Sequence, residues 1–357
     1  MTIYTCLIFA ILFLGFIFLN QVKNKKYFLY SSFFLMFLVL ALRGRNVGED
    51  TNHYIFVFSI IRNLSWETVL TSLNGVVWDS LWGQSVEIGY GILNKLIGVF
   101  TSEGQVLIAV VAALTCWLFS RFIYRNLPEH VFIATIVILC DSLFMGAFNG
   151  IRQMLALAIV VNAYEYTQQK KFKMSLFVLL LGFFVHNSAI AIIPFLLLSQ
   201  VKNKKAGVRY TIIGVATLLC SVPLLMIIVS RLLPRYAVYF SINYWEVNSL
   251  RGTLILWLFE IVMAVYLVCR KKITQDEYIG IIGLIMYITV EIIGQEIAAV
   301  GRLSYYYRFF TVFLFASFGK YLEKKSRYIY NGAFFFFMVI EYLSFARTPA
   351  RLYEFFF

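Results

Sequence analysis

The sequence predicts an all-α fold, a polytopic transmembrane helix bundle of about 10–13 membrane segments with broken or re-entrant helices and an outer-face cavity. Three observations carry that expectation: an apolar composition, apolar runs that recur along the whole chain, and basic clusters that alternate with lysine-free connections. Of 357 residues, 61% are hydrophobic, 18% aromatic and only 14% charged, whereas soluble domains carry about 45–50% apolar and about 25% charged residues. A soluble core of this length has no means of hiding so much apolar surface. A spanning helix needs about 20 predominantly apolar residues, and no intervening stretch is long enough for a soluble domain. Residues 1–357 therefore read as a single integral membrane domain, with the outer loop 43–87 contributing to the active site.

Taken in order, the apolar runs fall near 2–20, 27–42, 104–124, 131–148, 151–167, 174–200, 208–230, 253–269, 278–298, 304–319 and 328–345, with a shorter glycine-marked segment at 88–100. The first run, Thr2 to Leu19, has no cationic segment before it and is followed by Lys23, Lys25 and Lys26. That order predicts a retained helix with its N-terminus outside and argues against a cleaved signal. Further basic clusters at Arg121/Arg125, Lys170/Lys171/Lys173, Lys202/Lys204/Lys205, Arg270/Lys271/Lys272 and Lys320/Lys324/Lys325/Arg327 define the cytoplasmic side by the positive-inside rule. The run 174–200 lies between two such clusters. Its 27 residues reach only about 40 Å as helix, too short for two full crossings. The polar triplet His186-Asn187-Ser188 at its midpoint predicts two short or broken helices meeting there, or else one long tilted helix with one cluster breaking the charge rule.

The cations sort by type. In this topology the outer loops and helix ends carry Arg43, Arg45, Arg62, Arg152, Arg231, Arg235, Arg251, Arg302, Arg347 and Arg351, with Lys95 as the only lysine, whereas the cytoplasmic clusters are mostly lysine. Orientation alone disfavours outer cations. A preference for the planar guanidinium there points to a phosphate or carboxylate ligand. Nucleic acid is excluded as a partner, because about half of the +13 formal charge is loop lysine with a topological role. Cys6, Cys116, Cys140, Cys220 and Cys269 all sit in apolar runs without metal-ligand spacing, and are read as free thiols.

Several constellations suit chemistry at the outer face. The stretch Arg43-Gly44-Arg45-Asn46-Val47-Gly48-Glu49-Asp50-Thr51-Asn52-His53-Tyr54 offers arginines for an anion and carboxylates for a sugar or a general base, or is a charged loop capping a helix. Trp66, Trp78, Trp82 and Tyr90 suit a membrane interface or sugar-ring stacking. Glu87, closing that loop beside glycines, is placed to pair with an outer arginine. A helix starting near Gly150 aims its N–H groups where Arg152 projects, with Asp141 as the expected ion-pair partner of Arg152. His186 is the only one of three histidines, with His53 and His130, expected within a membrane segment. It is either a proton-transfer group or a hydrogen-bonded bundle residue. Late in the chain, Arg302 is spaced to share a helix face with Tyr305 and Tyr306. Glu260, Glu291, Glu296 and Glu341 are apolar-run carboxylates free to pair with these arginines or to act as a base.

Five motifs occur in order. An RxxxxGxDTxxY-like stretch (Arg43 to Tyr54), an ExGYxxLN element (Glu87 to Asn94), IRQxxA (Ile151 to Ala156), HxSA (His186 to Ala189) and RxxYYYR (Arg302 to Arg308) together resemble the EpsG family of Wzy-like polysaccharide polymerases over about residues 40–310. The resemblance implies a glycosyltransferase of the bacterial plasma (inner) membrane that builds capsule, exopolysaccharide or O-antigen. Its donor is a glycan on undecaprenyl pyrophosphate, moved at the outer face onto a new lipid-linked repeat unit. It implies no cofactor, no nucleotide sugar and no metal; its partners are lipid-linked oligosaccharide, membrane lipid, and a chain-length regulator or export protein. Carried over by position, Arg152 and Arg302 would hold the pyrophosphate with Arg45 assisting, His186 or Asp50 would serve catalysis, and Glu87, Tyr90, Tyr54 and Tyr305 would face the glycan. A flippase of the same lipid, or a membrane glycan ligase or acyltransferase, shares these features and stays an alternative.

Overall fold

The computed structural model describes residues 2–19, 24–72, 75–79, 84–232, 251–347 and 352–357. Lys23, Trp82, Arg235 and Arg351 lie outside the described residues, as do the side chains of Trp78, Arg231, Arg251 and Glu296. Among the described residues the fold is all-α apart from one small hairpin. Its backbone groups into two compact units, one formed by Met1–Ile190 with Met338–Phe357 and the other by Ala191–Phe337.

The first unit begins with α1 (Thr2–Phe18) and α2 (Lys25–Ala41). The stretch read from sequence as outer loop is folded into α3 (Thr51–Ile61), α4 (Trp66–Thr71) and an antiparallel pair, β1 (Val76–Asp79) and β2 (Gln84–Val86), in register Val76 to Val86. Ser65 starts α4 by accepting from Thr68 N at 3.0 Å, the usual side-chain N-cap. Then come α5 (Ile88–Phe100) and α6 (Gly104–Asn126). Lys95 donates to the Arg62 carbonyl at 2.7 Å and so closes the C-terminal end of α3.

Four of the apolar runs are interrupted, one of them as expected. The run 131–148 divides into α7 (Val131–Cys140) and α8 (Ser142–Asn149), bent by 46°. Asp141 is the cause: its backbone is extended (ψ 170°) and its carboxylate accepts from Ser142 N at 2.6 Å, capping a new helix. The run 151–167 divides at Asn162 into α9 (Ile151–Val161) and α10 (Ala163–Gln168). The run 174–200 breaks where the triplet led us to expect, α11 (Phe172–Val185) ending at an extended His186 before a 3-10 turn over Asn187–Ile192. The run 304–319 is a chain of single turns from Arg302 to Thr311, leading into a helix over Val312–Phe318.

A buried apolar cluster joins α3, α5, α6 and α9 through Phe58, Tyr90, Leu107, Val111 and Leu155. The C-terminal residues return to the segment after α2. Gly44 N donates to Glu354 O at 2.7 Å, Phe356 N to Leu42 O at 3.1 Å, and Asn46 Nδ2 to Glu354 Oε1 at 2.8 Å.

The second unit comprises α12 (Ile193–Leu198), α13 (Lys204–Leu232), α14 (Arg251–Cys269), α15 (Gln275–Glu296), α16 (Val312–Phe318) and most of α17 (Lys324–Ala346). A capping box starts α15, with Glu277 Oε2 accepting from Thr274 N at 2.8 Å. Phe195 stacks on Phe310 at 3.9 Å between ring centroids, and Tyr307 Oη donates to Ala191 O at 2.6 Å. Among the described residues, α6, α15 and α17 are each long and apolar enough to cross a membrane, and the bent α7–α8 pair makes a fourth. Shorter apolar helices of 10–17 residues include α1, α3, α5 and α11.

Candidate active site

Glu87, Arg152 and His186 are carried by three different helix ends of the first unit. Glu87 precedes α5, Arg152 lies in the first turn of α9, and His186 follows the last residue of α11. Glu87 occupies an N-cap position, yet its side chain makes no cap bond to its own helix. Its carboxylate turns instead to the other two. Arg152 Nη1 donates to Oε2 at 2.8 Å, and His186 Nδ1 lies 2.6 Å from Oε1. The same Oε1 accepts from the Asn187 backbone N–H at 3.2 Å. Sequence reasoning did not single out that amide; its signal is the helix break itself, which frees an N–H that a continuous helix would consume.

Burial pushes the Glu87 carboxyl upward in pKa, but the hydrogen bond from His186 and the charge of Arg152 outweigh it and hold the group at about 2. Glu87 is therefore ionised near neutral pH and accepts, so Nδ1 is the donating nitrogen of His186. Nε2 is then left as the basic ring nitrogen.

Two aromatic rings frame the arginine. The guanidinium carbon of Arg152 lies 5.9 Å from the Tyr54 ring centre and 5.7 Å from that of Tyr90, and the two rings meet edge to face at 6.3 Å. Arg152 Nε is buried without a hydrogen-bond partner. A buried donor left unmade costs about 1–3 kcal/mol, so the cluster is set up to accept further acceptor atoms.

The expected pairing of Arg152 with Asp141 is corrected: Glu87 is the partner, because Asp141 is occupied in capping α8. Asp50 is half-buried at the start of α3 and interacts electrostatically with His53, which also feels Arg152. Arg45 is exposed, while its neighbour Arg43 is buried, donating to Ala147 O at 3.0 Å with its guanidinium 5.2 Å from the Phe148 ring centre. Through Nη1, Arg43 serves the C-terminal end of α8. The backbone of 48–49 rests on the same helix end, with Glu49 N donating to Asn149 Oδ1 at 3.2 Å.

Within the second unit, Arg302 is exposed, Tyr305 half-buried and Tyr306 buried. Glu291 accepts from Ser304 Oγ at 2.5 Å. Glu260 pairs with Arg308, the last arginine of the same motif, and both side chains are fully buried. All five cysteines are free.

Residues 26–357 match the model of the EpsG family. The chain belongs to the EpsG family. The match extends past both ends of the stretch, about 40–310, over which the motifs run. No curated relative and no solved structure matches the chain significantly. EpsG proteins are Wzy-like polymerases of polysaccharide biosynthesis, so the activity is of glycosyltransferase type. The family and the apolar helices together make this a multi-pass membrane protein.

Proposed function

We propose that this EpsG-family chain polymerises repeat units by moving a growing glycan from undecaprenyl pyrophosphate to an acceptor sugar on a second lipid-linked unit, at the outer face of the bacterial inner membrane. The observation that carries the reading is the Glu87 clasp, one carboxylate holding both a guanidinium and an imidazole. Arg152 is the group for the diphosphate, since its fork matches phosphate oxygens and its Nε lacks a partner. His186, oriented through Nδ1 by Glu87, presents Nε2 to the acceptor hydroxyl. The hydroxyl oxygen attacks the anomeric carbon, the bond from that carbon to the pyrophosphate oxygen breaks with its electron pair, and the proton passes to Nε2. The products are a lengthened lipid-linked glycan and undecaprenyl pyrophosphate. Tyr54 and Tyr90 flank the cluster on the glycan side, with Asp50 a contact for sugar hydroxyls and the rival base.

Arg45 retains the role its motif position implies, an auxiliary cation, and within the second unit Arg302 and Tyr305 retain theirs, an anion contact and a glycan contact. The whole chain is read as one membrane domain in which the short helices form broken spans, giving about 10–13 segments. Reconstitution tests the reading: purified protein, lipid-linked repeat units and a gel ladder. Longer glycans without another enzyme are expected. Movement of unaltered substrate between leaflets without lengthening would make the protein a flippase, and transfer to a non-glycan acceptor would make it a ligase or acyltransferase.

A further inference from the structure

The first unit contains a cavity of about 730 Å³ between α5, α6, α9–α10 and α11. That volume lies within the about 300–1,000 Å³ typical of small-ligand sites. It is built by uneven helix spacing. At one level Gly89 lets α5 and α11 meet backbone to backbone, since a Cβ there would stand 2.6 Å from Phe184 O, and Gly182 sits so close to α9 that its Cβ would stand 2.2 Å from Val160. Toward the start of α11 the helices part. Trp117, Leu118, Ile159 and Val178 then line an apolar trough, closed at its far end by Arg121, Asn162 and Tyr166. That end is fixed: Arg121 donates to Asn162 and pairs with Glu165, and Asn162 Nδ2 donates to Ala158 O at 2.8 Å.

The near end is the informative one. It is formed by Ile88, Gly89 and Val185, the residues adjoining Glu87 and His186 in the chain, so the trough starts beneath the charged cluster. Leu181 and Phe184 on its rim are exposed, which leaves a side open to a lipid. From Val178 to Val185 the wall of α11 runs about 10 Å at ~1.5 Å per residue.

We infer that this trough is a binding site for the first isoprene units of a polyprenyl pyrophosphate, running away from the diphosphate held at Arg152. The inference rests on the proposed function for the identity of the headgroup. An apolar channel that begins at an anion-binding cluster and has no polar group until its far end suits one chain with a charged head. A branched isoprenoid also fills an irregular trough better than two straight acyl chains on one glycerol.

The test uses the full-length protein in nanodiscs of phosphatidylglycerol and phosphatidylcholine, with a polyprenyl pyrophosphate carrying a diazirine on its second isoprene unit. Crosslinked peptides are mapped by mass spectrometry. Label is expected on α11 and α6 at Leu181, Phe184 and Trp117, competed by unlabelled polyprenyl pyrophosphate and not by excess phospholipid. Leu181→Trp, which fills the trough, is expected to cut labelling about tenfold, whereas Phe177→Trp, an exposed position on the same helix outside the trough, leaves it unchanged. In the laddering assay Leu181→Trp should raise KM for the long-chain donor and for a farnesyl-linked donor alike, since both carry the isoprene units nearest the diphosphate. Label that maps elsewhere, or that phospholipid competes away, overturns the site, and this arm needs no variant to fold. Labelling in the trough without laddering from any donor would instead overturn the polymerase reading and leave the lipid site standing.

Discussion

His186 and Glu87, 99 residues apart in sequence, meet at 2.6 Å at the ends of two different helices. A carboxylate on one imidazole nitrogen fixes the tautomer at the other, which is what a proton-accepting histidine requires. Glu87→Gln keeps the shape and removes the charge. Turnover in the laddering assay is expected to fall about 10²–10⁴-fold, with insertion and yield unchanged, and Glu87→Asp to recover part of it. A wild-type pH–rate profile in Glu87→Gln would remove Glu87 from the catalytic arrangement.

The same carboxylate sets a pH dependence of stability. Its pKa is displaced downward from 4.5 to about 2, so its stabilisation is complete above about pH 4.5 and lost as pH falls through about 2. At about 1.4 kcal/mol per pH unit the displacement corresponds to roughly 3 kcal/mol. The difference in Tm between wild type and Glu87→Gln should thus shrink as pH falls from about 4.5 toward 2. A difference that stays the same across that interval would contradict this assignment.

Arg152→Lys preserves charge and discards the fork. A lysine ammonium can still reach Glu87, so folding and insertion should hold, but a diphosphate loses its two-point contact. Loss of one charge-stabilising donor typically costs about 10²–10³ in kcat. Laddering is accordingly expected to disappear at wild-type enzyme concentration while thermal stability changes little. Unimpaired laddering would take Arg152 out of the site.

How much of this was legible in the sequence depends on the range of the interaction. Apolar runs are local, and the helices lie where the runs do. The break at His186 was visible because three polar residues interrupt an apolar run. By contrast, the bend at Asp141 and the split at Asn162 arise from single polar residues bonded to nearby backbone, at positions where an apolar average barely changes. The helices and hairpin within 51–86 were read as loop because their apolar faces meet α5 and α6, which periodicity in a short polar stretch does not reveal. Glu87, Arg152 and His186 were each identifiable as candidates, yet their union was not, since it depends on contacts across 65 and 99 residues. Arg43 shows the opposite error of a sequence census: an arginine counted at the outer face is buried against Phe148.

Gly48 links the first motif to this geometry. Its φ is +90°, and a Cβ there would lie 2.3 Å from Phe148 O, a backbone atom that α8 holds in place. Gly48→Ala combines left-handed strain of about 1–2 kcal/mol with that collision. It should lower Tm and displace Asp50, two residues on, so KM is expected to rise along with the stability loss. A variant of wild-type Tm and KM would mean that the 43–50 segment is free to move without consequence.

The Glu260–Arg308 pair offers a test of fold rather than chemistry. Both side chains are fully buried, and the Arg308 guanidinium lies 4.6 Å from the Tyr287 ring centre, whose hydroxyl accepts from Trp257 Nε1 at 3.3 Å. In an apolar setting, removing one partner leaves an uncompensated charge, at a cost of about 3–5 kcal/mol, whereas replacing both by apolar groups is often neutral. Glu260→Gln is therefore expected to abolish recoverable folded protein, and Glu260→Leu combined with Arg308→Met to restore it, measured by size-exclusion profile and thermal melt in detergent. If the restored double variant also ladders at the wild-type rate, Arg308 acts solely in the fold; if it folds and fails to ladder, the last arginine of the late motif has a part in turnover.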